Sequence, residues 1–280
     1  MINMEKDSAP EIGMPPMMKK QIRKELHQII WRRRWYQFAK YAAVIALLVT
    51  SSFGIYSLFD TPSSQQMITA NVKPGSKSEI ILPDGTKVQL NGATTIRYDV
   101  NDTEQRLVHL SGEAFFDVAK SPDCPFRVMV NDFQIEVLGT SFNVQDYPEN
   151  KDIVVCLDEG NINLTLPTEK KYPVQPGERL VYNKDNQQCT ISKMNDMQRL
   201  SMWKQNVIVF KDTPLPEVIK ILNRWYNVEF KVEDENVLKY VYTLTSDNTL
   251  LEKVLMDLEK IAPVKFEYNE DKKEVIVKMK

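Results

Sequence analysis

The chain has 280 residues, 42% hydrophobic and 26% charged, an ordinary globular balance with room for one large domain or two small ones. Its net charge of −2 is uneven: residues 1–40 hold nine Lys/Arg against four Asp/Glu, a net of +5, which leaves −7 for the remainder. A body that acidic argues against direct nucleic-acid binding outside the tail.

The tail, residues 1–40, contains "MMKKQIRKELHQIIWRRRW". Met18, Ile22, Leu26 and Ile29 share one face of a helix whose opposite face is basic. Two readings stand side by side: an amphipathic helix lying on anionic lipid, or a docking helix for a cytoplasmic partner. Residues 41–59, "YAAVIALLVTSSFGIYSLF", carry no ionisable charge apart from tyrosine hydroxyls. At about 1.5 Å per residue such a helix is ~28 Å long, close to the ~30 Å of a bilayer's hydrocarbon core. Thr50, Ser51, Ser52 and Ser57 are its only polar side chains, and hydroxyls of that kind bond back to helix carbonyls. A signal peptide has a shorter apolar region nearer the N-terminus and a small-residue cleavage site, so a single transmembrane helix is expected. Arg32, Arg33, Arg34 and Lys40 precede it and Asp60 follows, which predicts a cytoplasmic N-terminus and places residues 60–280 on the far side. Residues 60–71 read as a linker.

From Met67 to Met194 the pattern has period two, broken by turns, and predicts an all-β domain over 72–194. "LPDGTKVQL" is a hairpin, with Asp84-Gly85 turning between Ile80–Leu82 and Val88–Leu90. In "VHLSGEAFFDV", Val108, Leu110, Ala114, Phe116 and Val118 form one face, and His109, Ser111, Glu113 and Asp117 form the polar face. Further strands are predicted at 95–98, 126–130, 153–157, 162–166, 180–183 and 189–192. "FQIEVLGTSFNV" has a fault of phase: Phe133, Ile135 and Val137 sit at odd positions, Leu138, Phe142 and Val144 at even ones. A bulge or sharp bend at Leu138-Gly139-Thr140 is therefore expected.

After Trp203 the grammar changes. "VIVF" reads as a strand, Thr213-Pro214 as a cap and first-turn proline, and Leu215, Val218, Ile219, Leu222 and Trp225/Tyr226 as a helical stripe. "VEFKV" and "YVYTLT" are strands. Asp247/Asn248 should cap a second helix with stripe Leu251, Val254, Leu255, Leu258 and Ile261, ended by Pro263, before a closing hairpin around Glu270-Asp271. The order β-α-β-β-α-β-β predicts a small α+β domain over 203–280, with two helices on one sheet face. An exposed edge of that sheet is a candidate for strand addition by a partner.

Nothing in the chain reads as an enzyme. His27 and His109 are the only histidines, and neither a phosphate-binding glycine loop nor a Gly-x-Ser-x-Gly or His-Glu-x-x-His motif occurs. No metal or cofactor is expected. Cys124, Cys156 and Cys189 form no Cys-x-x-Cys pair and read as buried free thiols.

An ordered run of motifs, "VKPGSKSEIILPDGTKVQLNGATTIRY", "VHLSGEAFFDVAK", "PFRVMVNDFQIEVLGTSFNV", "CLDEGNINL", "VQPGERLVYN" and "VFKDTPLPEVIKILNRWYNVEFKV", resembles the FecR family of single-pass regulators of Gram-negative bacteria, from Val72 to the C-terminus. The resemblance implies a periplasmic all-β domain followed by a domain similar to the secretin and TonB short N-terminal fold. It also implies an anti-sigma factor of the inner membrane. Its cytoplasmic partner would be an extracytoplasmic-function sigma factor, and its periplasmic partner the signalling domain of an outer-membrane TonB-dependent transporter. Family members usually open with a cytoplasmic domain of several helices, whereas about forty residues precede the apolar stretch here. Met18, Ile22, Leu26 and Ile29 are then candidates for sigma-factor or lipid contact. Some relatives cleave themselves at a Gly-Thr bond by an N-to-O acyl shift, and Gly139-Thr140 matches that position; a packing bend without chemistry is the other reading. A structural envelope protein without a transcriptional role is the alternative to the regulator.

Overall fold

A computed structural model of the chain describes Trp31, Trp35, Phe38 and residues 40–55, 66–101, 105–166, 170–193, 201–247 and 250–280. Two compact units divide it, residues 1–63 and 64–280. Met18, Ile22, Leu26 and Ile29 lie outside the described residues.

In the first unit, residues 40–55 form a helix, α1. Its apolar side chains are exposed, among them Leu47 at 68% and Phe53 at 73%. Thr50 Oγ1 donates to the carbonyl of Ala46 at 2.9 Å and Ser51 Oγ to that of Leu48 at 3.1 Å, so the hydroxyls do bond back into the helix. Among the described residues, no helix is long and apolar enough to cross a membrane. Positions 56–59 of the expected span fall outside them.

The second unit begins with thirteen strands: β1 Met67–Val72, β2 Ser78–Ile81, β3 Lys87–Leu90, β4 Thr94–Asp99, β5 Leu107–Asp117, β6 Phe126–Val130, β7 Phe133–Val137, β8 Ser141–Asp146, β9 Asp152–Glu159, β10 Ile162–Thr165, β11 Lys171–Val174, β12 Glu178–Asn183 and β13 Cys189–Lys193. Strand β5 belongs to two sheets. Its first half pairs with β4 and β6, and its second half with β3 and β8. One sheet therefore runs β1-β4-β5-β6-β7-β10-β11 and the other β2-β3-β5-β8-β9-β12-β13. At the change of sheet stands Gly112, with φ of +114°; a Cβ there would lie 2.7 Å from Cα of Thr94, so only glycine fits. Between the sheets lies the core, in which Phe116 stacks on Phe142 at 5.1 Å and packs against Phe126. Val108, Leu110, Ala114, Phe116 and Val118 are all buried, as the alternation requires. Strand β1, paired with β4, extends the β domain into residues read as linker, and the strand Lys171–Val174 was not expected; its Pro173 and flanking lysine give no alternating signal.

The fault of phase is a change of sheet. Strand β7 pairs in one sheet, β8 in the other, and Leu138-Gly139-Thr140 is the bend between them. A register shift in the β8–β9 pairing follows immediately, between Ser141 and Phe142.

A second core organises the rest, built from β14 Ile208–Pro214, α2 Leu215–Tyr226, β15 Glu229–Val232, β16 Val241–Ser246, α3 Leu251–Ile261, β17 Val264–Asn269 and β18 Glu274–Met279. The order is the expected β-α-β-β-α-β-β. The single sheet is corrected: β14 pairs with β16 in one sheet, and β15-β18-β17 form another in which β15 and β18 are parallel. Both caps are corrected too. Pro214 occupies the cap position of α2 and Leu250 that of α3, neither through a side-chain hydrogen bond, while Thr213 Oγ1 bonds to Lys211 instead. The stripe of α3 is buried at Leu251, Val254, Leu255 and Leu258, but Ile261 is exposed, because the helix ends there and the chain turns away at Ala262.

Of the three cysteines only Cys156 is fully buried; Cys124 and Cys189 are half-buried. Burial pushes the Cys156 thiol up to about 12. Among the described residues no group of His, Cys, Asp and Glu could hold a metal ion.

Candidate functional site: the junction between the two cores

Of the face of β5 read as polar, Ser111 and Asp117 are exposed and His109 is half-buried, but Glu113 is covered by the α+β part. Glu113 is buried rather than facing water, because the Trp203 region packs over it. Its carboxylate accepts from Asn91 Nδ2 at 2.8 Å and from Asn143 Nδ2 at 3.0 Å. Burial raises its pKa above the ordinary carboxylate value, against the pull of these two amides and the Arg224 charge. Asn143 uses its other end as well: its Oδ1 accepts the indole N–H of Trp203 at 3.1 Å. Trp203 sits in the 3-10 turn Met202–Gln205 and is 6% exposed. One buried amide thus joins the carboxylate of the β part to the indole of the α+β part.

Two cations flank this centre. Lys77, on the loop after β1, donates to the backbone carbonyl of Trp203 and, at 2.8 Å, to Asn206 Oδ1. Its ammonium lies 4.0 Å from the centre of the Trp225 ring, a cation–π contact. Burial lowers its pKa, while Glu113 acts in the opposite direction. Arg224, near the end of α2, pairs with Glu149 at 2.6 Å and lies over the Tyr147 ring at 3.9 Å. Tyr147 in turn donates to the carbonyl of Gly92 at 3.0 Å.

Backbone completes the seam. The N–H of Gly75 donates to the carbonyl of Arg224 at 2.8 Å. A Cβ on Gly92 would come within 2.8 Å of that same carbonyl, so the close approach of α2 depends on glycine at that place. A cleft of about 380 Å³ remains beside the seam, bordered by Lys77, Asn91, Asn206, Arg224 and Trp225. The polar side chains named here already have partners, so the seam is a hydrogen-bonded contact between the two cores.

None of these joint residues is legible as functional in the sequence. Lys77 and Asn91 sit in irregular segments and Trp203 in a short 3-10 turn, and Glu113 and Asn143 belong to strands whose pairing no local pattern reveals. A weak signal existed in Glu113, a carboxylate directly after the glycine that bends β5.

The Gly139-Thr140 corner lies elsewhere. Gly139 has φ of +155°, and a Cβ there would sit 2.8 Å from Cα of Lys120. Thr140 is 4% exposed, and its Oγ1 donates to the carbonyl of Asn161 at 3.1 Å. The hydroxyl proton is thus held by a carbonyl oxygen, an acceptor too weakly basic to remove it. In the three-stranded sheet of the α+β part, β17 and β15 are the outer strands.

Comparisons with known proteins bear on both halves. Residues 68–163 match the family described as FecR protein, and residues 207–277 the family described as FecR, C-terminal. The chain is similar to a crystal structure, solved at 2.50 Å, of a candidate anti-sigma factor from Parabacteroides distasonis ATCC 8503: 31% identity, TM-score 0.70, covering 77% of this chain and 100% of that one. A second structure under the same description, at 1.65 Å, gives 30% identity and TM-score 0.70, covering 76% and 99%. No curated protein matches the chain.

Proposed function

The chain belongs to the FecR family of anti-sigma regulators, and from that membership we propose that it is an inner-membrane relay between the periplasm and a sigma factor. The observation that carries this reading is the likeness to a candidate anti-sigma factor along that structure's whole length. In the proposal, residues 41–59 span the inner membrane with the basic tail in the cytoplasm, and residues 60–280 are periplasmic. Support comes from the uncharged run itself and from the exposed apolar surface of α1. The α+β part receives the signalling domain of an outer-membrane TonB-dependent transporter. The tail, through Met18, Ile22, Leu26 and Ile29, contacts an extracytoplasmic-function sigma factor. The joint around Glu113 and Trp203 makes the periplasmic halves move as one, so a load on the α+β part reaches the segment that leads to the membrane.

Two measurements test this. Alkaline phosphatase fused after Ser64 should be active, and an inactive fusion would reverse the orientation. Leu26→Asp with Ile29→Asp should derepress the sigma regulon. An unchanged regulon with stable protein would assign the stripe to lipid.

A further inference from the structure

Among the described residues, the outer edge of strand β17 pairs with no other strand and lies beside a groove. The bond from the N–H of Lys280 to the carbonyl of Pro263, extended along the β17–β18 register, turns the backbone groups of Lys265, Glu267 and Asn269 toward β18. Those of Val264, Phe266 and Tyr268 therefore point away from the sheet. Two of these outward N–H groups are already met, that of Val264 by the carbonyl of Ala262 at 2.8 Å and that of Phe266 by Glu259 Oε1 of α3 at 2.9 Å. A carboxylate from the neighbouring helix thus stands where the carbonyl of an added strand would stand. Between α3 and the strand lies a groove of about 360 Å³, floored by Leu255, Phe266 and Tyr268, with Met256 on its lip at 60% exposure. Its rim is acidic. Glu252 and Glu270 have no ion-pair partner among the described residues, and the one cation present, Lys265, is already held by Glu259 at 3.1 Å.

We propose that the outer edge of β17 receives an extended, basic strand of a partner protein, which displaces Glu259 from Phe266 and lays an apolar side chain into the groove. Main-chain bonds would supply the attachment, and the rim would select lysine- or arginine-bearing segments. A second copy of this chain does not fit, because pairing two β17 edges would set Glu252, Glu259 and Glu270 against their own like charges. The inference rests on the reading of the α+β part as the half that meets a protein partner, but its test does not use the transporter.

The probe is the peptide acetyl-Lys-Val-Thr-Val-Lys-Val-Thr-amide, compared with a twin carrying Glu for Lys, added to the full chain in detergent micelles. Hydrogen exchange should slow in residues 264–269, and the lysine peptide should bind about tenfold tighter than its twin at low salt. Glu252→Lys with Glu270→Lys, both at exposed positions, should reverse that preference. Equal binding of the two peptides, protection in 208–214 or 241–246 instead, or no protection anywhere would overturn the proposal. A transporter domain that fails to bind would overturn the relay reading and leave this result untouched.

Discussion

The joint and the β17 edge solve the same problem in opposite ways. Each has a carboxylate beside apolar and aromatic surface. At the joint, Glu113 is wholly enclosed and both its oxygens are paired to amides of β-part residues, over which the α+β part closes. At the edge, Glu259 caps one backbone N–H from its own helix and shares its charge with an exposed lysine. A buried carboxylate is tolerable only while every partner stays in place, so the joint holds one geometry. A half-buried cap paired to an exposed lysine costs less to move. The difference separates a seam that transmits from an edge that accepts.

The joint should break most severely at Trp203. Trp203→Ala removes a buried ring and leaves Asn143 Oδ1 without its donor, so a loss of ~3–5 kcal/mol is expected in denaturant titration. Exchange protection should fall on both faces of the seam, and protection lost only within Ile208–Met279 would show that the ring serves a single core.

Glu113 comes next, and its pH dependence has a definite sign. The folded protein holds the proton more tightly than the unfolded chain, because burial raises the pKa. The unfolded state is therefore favoured as pH rises from the ordinary carboxylate value through the raised folded one. Wild type should gain stability relative to Glu113→Gln as pH falls across that window, and parallel melting curves for the two proteins would contradict the assignment. Glu113→Ala should cost ~1–3 kcal/mol at neutral pH, since two buried amide donors lose their acceptor. A smaller coupling is expected between Arg224 and Glu149, whose carboxylate is 44% exposed: a double-mutant cycle with Arg224→Met and Glu149→Gln should give ~1 kcal/mol.

The contrast also marks where reading from sequence runs out. Period-two alternation located β4, β6 and β12 because each has one face on the core, whereas β9 is a continuous apolar run, Ile153 to Leu157, buried throughout. Helical stripes located α2 and α3 for the same reason. Alternation does not say what covers the other face. Glu113 read as solvent-facing because its cover, Trp203, lies ninety residues further on. The caps failed similarly: Thr213 and Asp247 are good capping residues, but the chain enters each helix extended, through Pro214 and Leu250. The bend at Gly139 was legible because a change of sheet necessarily changes phase.

That corner offers the smallest effect and the cleanest division between packing and chemistry. Thr140→Ala removes one hydrogen bond, to the carbonyl of Asn161, and a few contacts with Gly160, so ~1 kcal/mol of stability should be lost. Cleavage by an N-to-O acyl shift would need the Thr140 oxygen to attack the Gly139 carbonyl carbon, the amide nitrogen to leave with a proton, and water to open the resulting ester. The hydroxyl as placed donates its proton to a carbonyl rather than to a base, so nothing draws it toward attack. Purified wild type should therefore keep one intact mass over days at neutral pH, as should the alanine variant. Two fragments from wild type, meeting between Gly139 and Thr140 and missing from the variant, would make the corner a reactive bond rather than a turn between sheets.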